Sequence, residues 1–221
     1  TASIPRKKFK NLDGEMKNWN LLLPSLEFEY PGVDGLKTGT TDFAGRSFTG
    51  TAKRGDFRVI TVVMNAKDSN GNSNDTGRFG ETRKMFDYAF EHFSMKEVFP
   101  AKYEIKELKS LEVVKGKEKS VKVTTDQPIK VVVKNGEEEK YTPAFTVDEK
   151  LVNKDNQITA PVKKGEQIGT VVAKSTEDDL GYVSPELEPK AKIVTVDEIE
   201  KANWFSLAMR STGDFFVNVW D

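Results

Sequence analysis

The tetrad Lys37-Thr38-Gly39-Thr40 combines residue types that could bind an anionic, peptide-like ligand. It follows Pro31-Gly32 and Asp34-Gly35, two pairs that are typical of turns, and it opens a β-prone run. The ammonium and the two hydroxyls would supply a cation and hydrogen-bond donors. Gly39 has no side chain and would let a ligand backbone approach the strand. The triplet Lys37-Thr38-Gly39 also consists of residue types that are common in turns, so its functional interpretation depends on the elements around it.

The composition excludes several kinds of catalytic site. The 221 residues contain no cysteine, which excludes disulfides, cysteine nucleophiles and thiolate metal sites. His92 is the only histidine, so a Ser-His-Asp triad or a histidine-rich metal site is disfavoured, and we expect neither a metal nor a cofactor. A net charge of −1 gives no argument for nucleic acid as a partner. No run approaches the ~20 apolar residues of a membrane span.

Residues 1–93 predict strands followed by a covering helix. The runs 46–53 and 57–64 are β-prone and flank Arg54-Gly55-Asp56, which indicates an antiparallel hairpin. This tripeptide also matches an adhesion motif, but a hairpin turn needs the same residue types. Apolar residues recur every three or four positions from Phe79 to Phe93, ending near His92, which predicts an amphipathic helix that packs on the hairpin. The polar stretch 67–77 between them predicts a surface loop.

Residues 94–196 change character and predict an all-β, sandwich-like domain. Short β-prone runs alternate with turn signals such as Asn135-Gly136 at the spacing typical of a small sandwich. The runs are 103–106, 111–114, 120–124, 129–133, 141–147, 157–162, 167–173 and 190–195. We see no cluster of catalytic residue types in them. Their many lysines are typical of solubility and edge protection.

Residues 197–221 predict a terminal amphipathic helix. Phe205, Phe216 and Trp220 belong to one broad apolar stripe, and polar residues such as Arg210 occupy the opposite face. An aromatic stripe of this kind indicates an interfacial membrane anchor. The alternative is a core helix that docks onto the β-domain.

Several stretches together resemble the low-molecular-mass penicillin-binding proteins of the serine D-alanyl-D-alanine carboxypeptidase type. They are Asp34-Gly35-Leu36-Lys37-Thr38-Gly39-Thr40-Thr41, Val62-Val63-Met64-Asn65-Ala66, Arg78-Phe79-x-Glu81-Thr82 followed by Tyr88-x-Phe90, and Thr159-Ala160-Pro161-Val162-Lys163-Lys164-Gly165-Glu166-Gln167-Ile168-Gly169-Thr170-Val171. The order of the elements also matches, since this family carries a C-terminal β-domain and an amphipathic helix after its K-T-G strand. A class A β-lactamase shares the triplet but not the β-domain and anchor that follow.

The resemblance implies a role for each residue of the tetrad. Lys37 would support the hydrogen-bond network of the catalytic serine and its lysine. Thr38 and Thr40 would bind the terminal carboxylate of a D-Ala-D-Ala stem peptide, and the Thr40 N–H would form half of the oxyanion hole. Gly39 would let the substrate approach the strand. Arg78 would assist carboxylate recognition.

The sequence departs from the family's pattern in one important respect. No serine of the chain has lysine three positions later, and no Ser-x-Asn triplet exists. The nucleophile should therefore lie in a missing N-terminal portion. We expect a fragment with domains at 1–93, 94–196 and 197–221, an α+β fold overall, and no acyl-enzyme formation by this chain alone.

Two functions remain open from the sequence. In the first, the chain is part of an extracytoplasmic carboxypeptidase that trims peptidoglycan stem peptides, is acylated by β-lactams and lies on the outer face of the cytoplasmic membrane through residues 197–221. In the second, it is a non-catalytic β-domain module that positions a partner at the membrane surface.

Overall fold

The computed structural model describes residues 2–11, 13–177, 181–204 and 207. Contacts between Cα atoms divide the chain into two units, one comprising Thr1–Met95 and Val132–Asn135, the other Lys96–Val131 and Gly136–Asp221. The described residues form one α-helix and thirteen strands, so the predicted α+β class is confirmed. Each unit is described below by itself.

The first unit is built on a three-stranded antiparallel sheet. After a small ribbon of β1 (Arg6–Lys8) and β2 (Glu15–Lys17), the chain forms β3 (Val33–Thr41), β4 (Gly45–Arg54) and β5 (Phe57–Val63) in the order β3-β4-β5. The hairpin predicted around Arg54-Gly55-Asp56 is confirmed as β4–β5. Gly55 has φ of +58°, a conformation that glycine adopts without steric cost.

Asp34-Gly35, predicted as a turn, instead lies inside β3. Both terminal nitrogens of Arg58 on β5 donate to the Asp34 carboxylate at 2.8 Å, and Arg58 Nη1 also donates to Thr51 at 2.6 Å. This bidentate contact holds Asp34 against the sheet. The pairing of β3 with β4 shifts in register between Val33 and Gly35, which accommodates Asp34 as an extra residue in the strand. Hydrogen bonding from Arg58 keeps the pKa of Asp34 below its ordinary value.

Helix α1 (Asp75–His92) covers the sheet of the first unit, and it begins four residues before the predicted Phe79. The Asn74 side chain caps it by accepting from the Gly77 N–H at 2.9 Å. The helix ends at His92, one residue before the predicted Phe93, so His92 lies at the C-terminus of the helix as expected; its Nδ1 lies 2.9 Å from the Tyr88 carbonyl oxygen.

The core of the first unit lies between α1 and the sheet. Phe79 packs edge-on against Phe48 with ring centroids 5.2 Å apart, and Tyr30 lies 5.4 Å from Phe86. The segment before β3 completes this core, because Leu21, Leu22, Leu23 and Leu26 are all buried. Tyr30 donates its hydroxyl hydrogen to Asp87 at 2.7 Å and accepts from Arg54 at 3.0 Å.

The second unit contains most of the predicted β-runs as strands. They are β7 (Ser110–Val114), β8 (Ser120–Thr125), β10 (Tyr141–Val147), β11 (Ile158–Thr159), β12 (Gln167–Ser175) and β13 (Lys190–Thr195), which form a sheet in the order β10-β12-β13-β8-β7-β11. Strands β6 (Phe93–Phe99) and β9 (Ile129–Lys134) form a separate two-stranded sheet, and each of these strands has residues in both units. Alternate residues of β8 and β13 are buried, which explains the alternation of charged and apolar residues. The predicted run 103–106 is not a strand; Ile105 makes only a bridge to Leu108.

The predicted helix 197–221 does not begin at Asp197. Ile199 instead pairs with Val162 through two backbone hydrogen bonds, and Ala202 donates its N–H to Lys115. Both apolar side chains are buried in the second unit, so part of the predicted stripe serves its core. Residues 205, 206 and 208–221 lie outside the described residues. No helix within the described ranges combines the length and the apolarity that a membrane crossing requires.

The two glycines of α1 provide a test of how closely the helix start packs on the loop before it. A Cβ on Gly77 would lie 2.7 Å from the carbonyl carbon of Lys67 and 2.8 Å from the nitrogen of Asp68, whereas one on Gly80 would meet nothing within 4 Å. We expect Gly77→Ala to destabilise the protein by about 1–3 kcal/mol, since it forces backbone to move. Gly80→Ala should be neutral or stabilise by up to ~1 kcal/mol, because alanine favours helix. Urea unfolding measures both, and equal effects would contradict this packing.

Tyr30 predicts a pH dependence of stability. Burial first, and then its hydrogen bond to Asp87, raise the pKa of Tyr30 to about 12 from an ordinary 10.0. The unfolded chain therefore loses this proton at lower pH than the folded protein, so the stabilisation is complete below the ordinary value and is lost as pH rises towards about 12. Tyr30→Phe removes this effect. Between pH 10.0 and about 12, the difference in unfolding free energy between wild type and the Tyr30→Phe variant should therefore narrow. A difference that stays constant over this pH range would refute the raised pKa of Tyr30.

Candidate functional site

The Lys37-Thr38-Gly39-Thr40 tetrad lies on an edge strand. Its residues are paired with β4 on one side only, with Lys37 opposite Thr49 and Gly39 opposite Ser47. The other side of β3 pairs with no strand among the described residues, because β3 is the outer member of its sheet. An edge strand presents free N–H and C=O groups to which an extended peptide can add.

The tetrad is accessible. Lys37, Gly39 and Thr40 are exposed and Thr38 is half-buried. The Lys37 ammonium donates to the Thr38 carbonyl oxygen at 2.6 Å, so it lies along its own strand. A Cβ placed on Gly39 would meet nothing within 4 Å, which shows open space at that point of β3. A ligand backbone can therefore approach the strand here.

Arg78 lies under this part of the sheet, buried to 2% exposure. Its Nη1 donates to the carbonyl oxygens of Gly39 and Ser47, each at 3.3 Å, and its Nη2 lies 2.6 Å from Oδ1 of Asp75. One guanidinium thus connects α1 to both β3 and β4 where the tetrad is paired. The family resemblance implies a role for Arg78 in carboxylate recognition, and the structure places its guanidinium against the backbone of Gly39 in the tetrad.

A second arginine completes a small ionic network. Arg46, opposite Thr40 on β4, contacts the same Asp75 oxygen at 3.0 Å. Burial lowers the pKa of Arg78 while Asp75 raises it, and the nearby Arg46 lowers it further. Two arginine side chains near the end of β3, Arg46 and Arg78, therefore share the carboxylate of Asp75.

The turn between β3 and β4 also contacts the segment that joins β5 to α1. The Arg46 N–H donates to Oγ of Ser73 at 2.9 Å, and a Cβ on Gly45 would lie 2.3 Å from Oδ1 of Asn65. Sequence reasoning missed Arg46, Ser73 and Asp75 as parts of the site. The only available signal was the i, i+3 spacing of Asp75 and Arg78 in the first helical turn.

No serine in the chain has the lysine three positions later that would mark an activated nucleophile of this family. Ser47, the serine opposite Gly39, donates its hydroxyl hydrogen to the Ala44 carbonyl oxygen at 3.1 Å. The described residues also contain no group of three or more His, Asp or Glu side chains arranged to hold a metal ion. The edge position of β3 and the open space at Gly39 leave room for an extended ligand backbone along the strand.

Two family models match the chain over consecutive stretches. Residues 1–68 match D-alanyl-D-alanine carboxypeptidase, and residues 93–201 match the C-terminal domain of penicillin-binding protein 5. The first match contains the tetrad, and the second covers the predicted β-domain.

Curated relatives agree with these models. The chain is 32% identical to the D-alanyl-D-alanine carboxypeptidase DacF of Bacillus subtilis over 186 residues, which cover 84% of this chain and 42% of that protein. It is 30% identical over 189 residues to DacC of Escherichia coli, covering 86% of this chain and 39% of that protein. The chain therefore spans about two fifths of the length of these relatives.

Solved structures show the same fold. Penicillin-binding protein 3 of Streptococcus pneumoniae matches with a TM-score of 0.62 and 26% identity, covering 90% of this chain and 50% of the other. Penicillin-binding protein 5 of Haemophilus influenzae matches with a TM-score of 0.56 at 24% identity over the same shares, and it supports the fold alone. The family models, the relatives and the order of the elements agree: the chain belongs to the low-molecular-mass penicillin-binding proteins of the D-alanyl-D-alanine carboxypeptidase type.

Proposed function

We propose that the chain provides the substrate-binding strand of a serine-type enzyme that removes the terminal D-Ala from peptidoglycan stem peptides. The observation that carries this proposal is the edge position of β3, with its tetrad exposed and its outer backbone side free of strand pairing in the described residues. The names of the relatives supply the reaction class, D-alanyl-D-alanine carboxypeptidase.

The stem peptide would add to β3 as an extended strand. Main-chain hydrogen bonds give such a complex its register, and side chains at the strand give it specificity. The hydroxyls of Thr38 and Thr40 would donate to the terminal carboxylate. The buried charge of Arg78 would add a favourable field from beneath Gly39, although Asp75 neutralises part of it.

The chemistry would be a two-step acyl transfer. A serine hydroxyl attacks the carbonyl carbon of the penultimate D-Ala, the terminal D-Ala leaves as a protonated amine, and water hydrolyses the acyl-enzyme. The Thr40 N–H would stabilise the oxyanion of the tetrahedral intermediates, and Lys37 would support proton transfer at the serine. A β-lactam would acylate the same serine.

The serine and its lysine must come from outside these 221 residues in this proposal, because the chain has no S-x-x-K motif. An enzyme of this kind works outside the cytoplasm, where peptidoglycan lies, and we propose that residues 197–221 hold it at the membrane surface. The second candidate, a non-catalytic module that positions a partner there, is supported by the separate fold of the second unit.

Labelling with a fluorescent penicillin distinguishes these functions. We expect no covalent label on the 221-residue chain and a label on the longest polypeptide encoded in frame with it. In that polypeptide Lys37→Gln should slow labelling by at least about 100-fold, because it removes an active-site cation. Lys53→Gln is the matched control, since Lys53 is an exposed lysine at the far end of β4, and it should leave the rate unchanged.

Labelling of the 221-residue chain itself would show that the proposed origin of the nucleophile is wrong. Absence of label from both polypeptides would favour the non-catalytic module.

Arg78 provides a separate test on the chain alone. Lysine cannot span the Gly39 and Ser47 carbonyls and Asp75 together, so Arg78→Lys should destabilise the protein by about 1–3 kcal/mol. Arg83 on the same helix also donates to two carbonyl oxygens, those of Phe28 and Glu29, but it is only half-buried. Arg83→Lys should therefore cost less than about 1 kcal/mol in urea unfolding.

Amide NMR shifts should move at residues 37–40 in the Arg78 variant and not in the Arg83 variant. Shifts of the same size in both variants would contradict a specific role of Arg78 under the tetrad.

A further inference from the structure

The second unit contains a groove of about 800 Å³ that has no part in the proposed reaction. Its lining includes four lysines from different segments, together with a glutamate and a threonine hydroxyl: Lys102, Lys109, Lys122, Lys164, Glu104 and Thr124. From the sequence alone, the lysines of residues 94–196 are expected to provide solubility and to protect strand edges. Their convergence on one concavity calls for another explanation.

Two buried threonines hold the walls of the groove in place. Thr125 of β8 is 1% exposed; its Oγ1 accepts from the Tyr103 N–H at 2.9 Å and lies 3.3 Å from the Pro100 carbonyl oxygen. Thr195 of β13 is 2% exposed; its Oγ1 donates to the Lys163 carbonyl oxygen at 2.6 Å and accepts from the Glu166 N–H at 3.0 Å. The segments that carry Lys102 and Lys164 are thus fixed to adjacent strands.

The four groove lysines differ from Lys140 and Lys174 of the same unit, which have carboxylate partners. Lys140 contacts Glu137 at 3.3 Å and Glu177 at 2.9 Å, and Lys174 contacts Glu188. Within the described ranges, none of the four groove ammonium groups has an ion-pair or hydrogen-bond partner. The groove thus presents four ammonium groups and one carboxylate, that of Glu104, and this excess of positive charge would attract an anionic ligand.

The residue types indicate which anion fits. Lysine binds phosphate as a point charge from any direction, whereas planar carboxylates are better matched by arginine. No arginine and no aromatic ring is found among the described lining residues, so the groove offers nothing on which nucleobases could stack. Glu104 and Thr124 can hydrogen-bond the hydroxyls of a polyol between two phosphates. A concave groove also suits a chain better than a flat bilayer surface.

We propose that this groove binds a linear polyanion in which phosphodiesters link hydroxylated units. The ligand would lie along β8 and β13, with its phosphates near the four groove lysines and its polyol hydroxyls near Glu104. This binding is independent of the proposed peptidase function and would tether the second unit to a phosphate-bearing polymer.

The test measures binding of the full chain to long-chain inorganic polyphosphate by fluorescence anisotropy. We expect saturable binding that weakens steeply between ~50 mM and ~200 mM salt, because bound counterions are released. The variant Lys109→Gln/Lys122→Gln/Lys164→Gln should lose at least about tenfold in affinity. The control variant Lys96→Gln/Lys140→Gln/Lys174→Gln also removes three positive charges, but from lysines that lie outside the groove and have carboxylate partners. It should change the affinity less than about twofold.

Three outcomes would overturn the proposal. Equal losses in both triple variants would show attraction by net charge only, and equally tight binding of poly-L-glutamate would show no preference for phosphate. Loss of binding to phosphatidylglycerol vesicles in the groove variant, with polyphosphate binding unchanged, would assign the lysines to a membrane surface instead. Circular dichroism of both variants establishes that they are folded.

Discussion

The buried guanidinium of Arg78 is the interaction on which the geometry of the candidate site depends. A charge with 2% exposure is expensive to bury unless partners surround it, and here Asp75 and the carbonyls of Gly39 and Ser47 provide them. These two carbonyls belong to residues that face each other across β3 and β4. The guanidinium therefore holds the strand pair together at the glycine of the tetrad, and the outer side of β3 pairs with no strand in the part of the chain that the structure describes.

This dependence extends to the start of α1. Asp75 and Arg78 occupy the first turn of the helix, so their positions are set by the Asn74 cap and by the close packing of Gly77 on the preceding loop. Asp68 organises that loop by accepting from the N–H groups of Asn70 and Asn72 and from the Asn74 side chain. A polar loop without regular structure thus determines where the helix begins, and through the helix it determines where the tetrad lies.

The sequence predicted those features that depend on local patterns. The hairpin around Gly55, the amphipathic helix ending at His92 and most strands of the second unit followed from periodicity and turn residues. Asp34-Gly35 was misinterpreted because its extended conformation depends on Arg58, which lies 24 residues away. The stretch after Asp197 was misinterpreted because an apolar stripe does not show whether Ile199 pairs with another segment, here Val162. The Arg46–Asp75–Arg78 network was missed because it joins separate elements.

The central claim is that β3 is a substrate-binding edge strand supported from below by Arg78. A crystal structure of the longest in-frame polypeptide, acylated by a β-lactam, tests this claim most directly. We predict that the ligand lies along the outer side of β3, with its carboxylate within hydrogen-bonding distance of the hydroxyls of Thr38 and Thr40 and with the Arg78–Gly39 contact intact. An acylated ligand that makes no contact with β3 would contradict the claim.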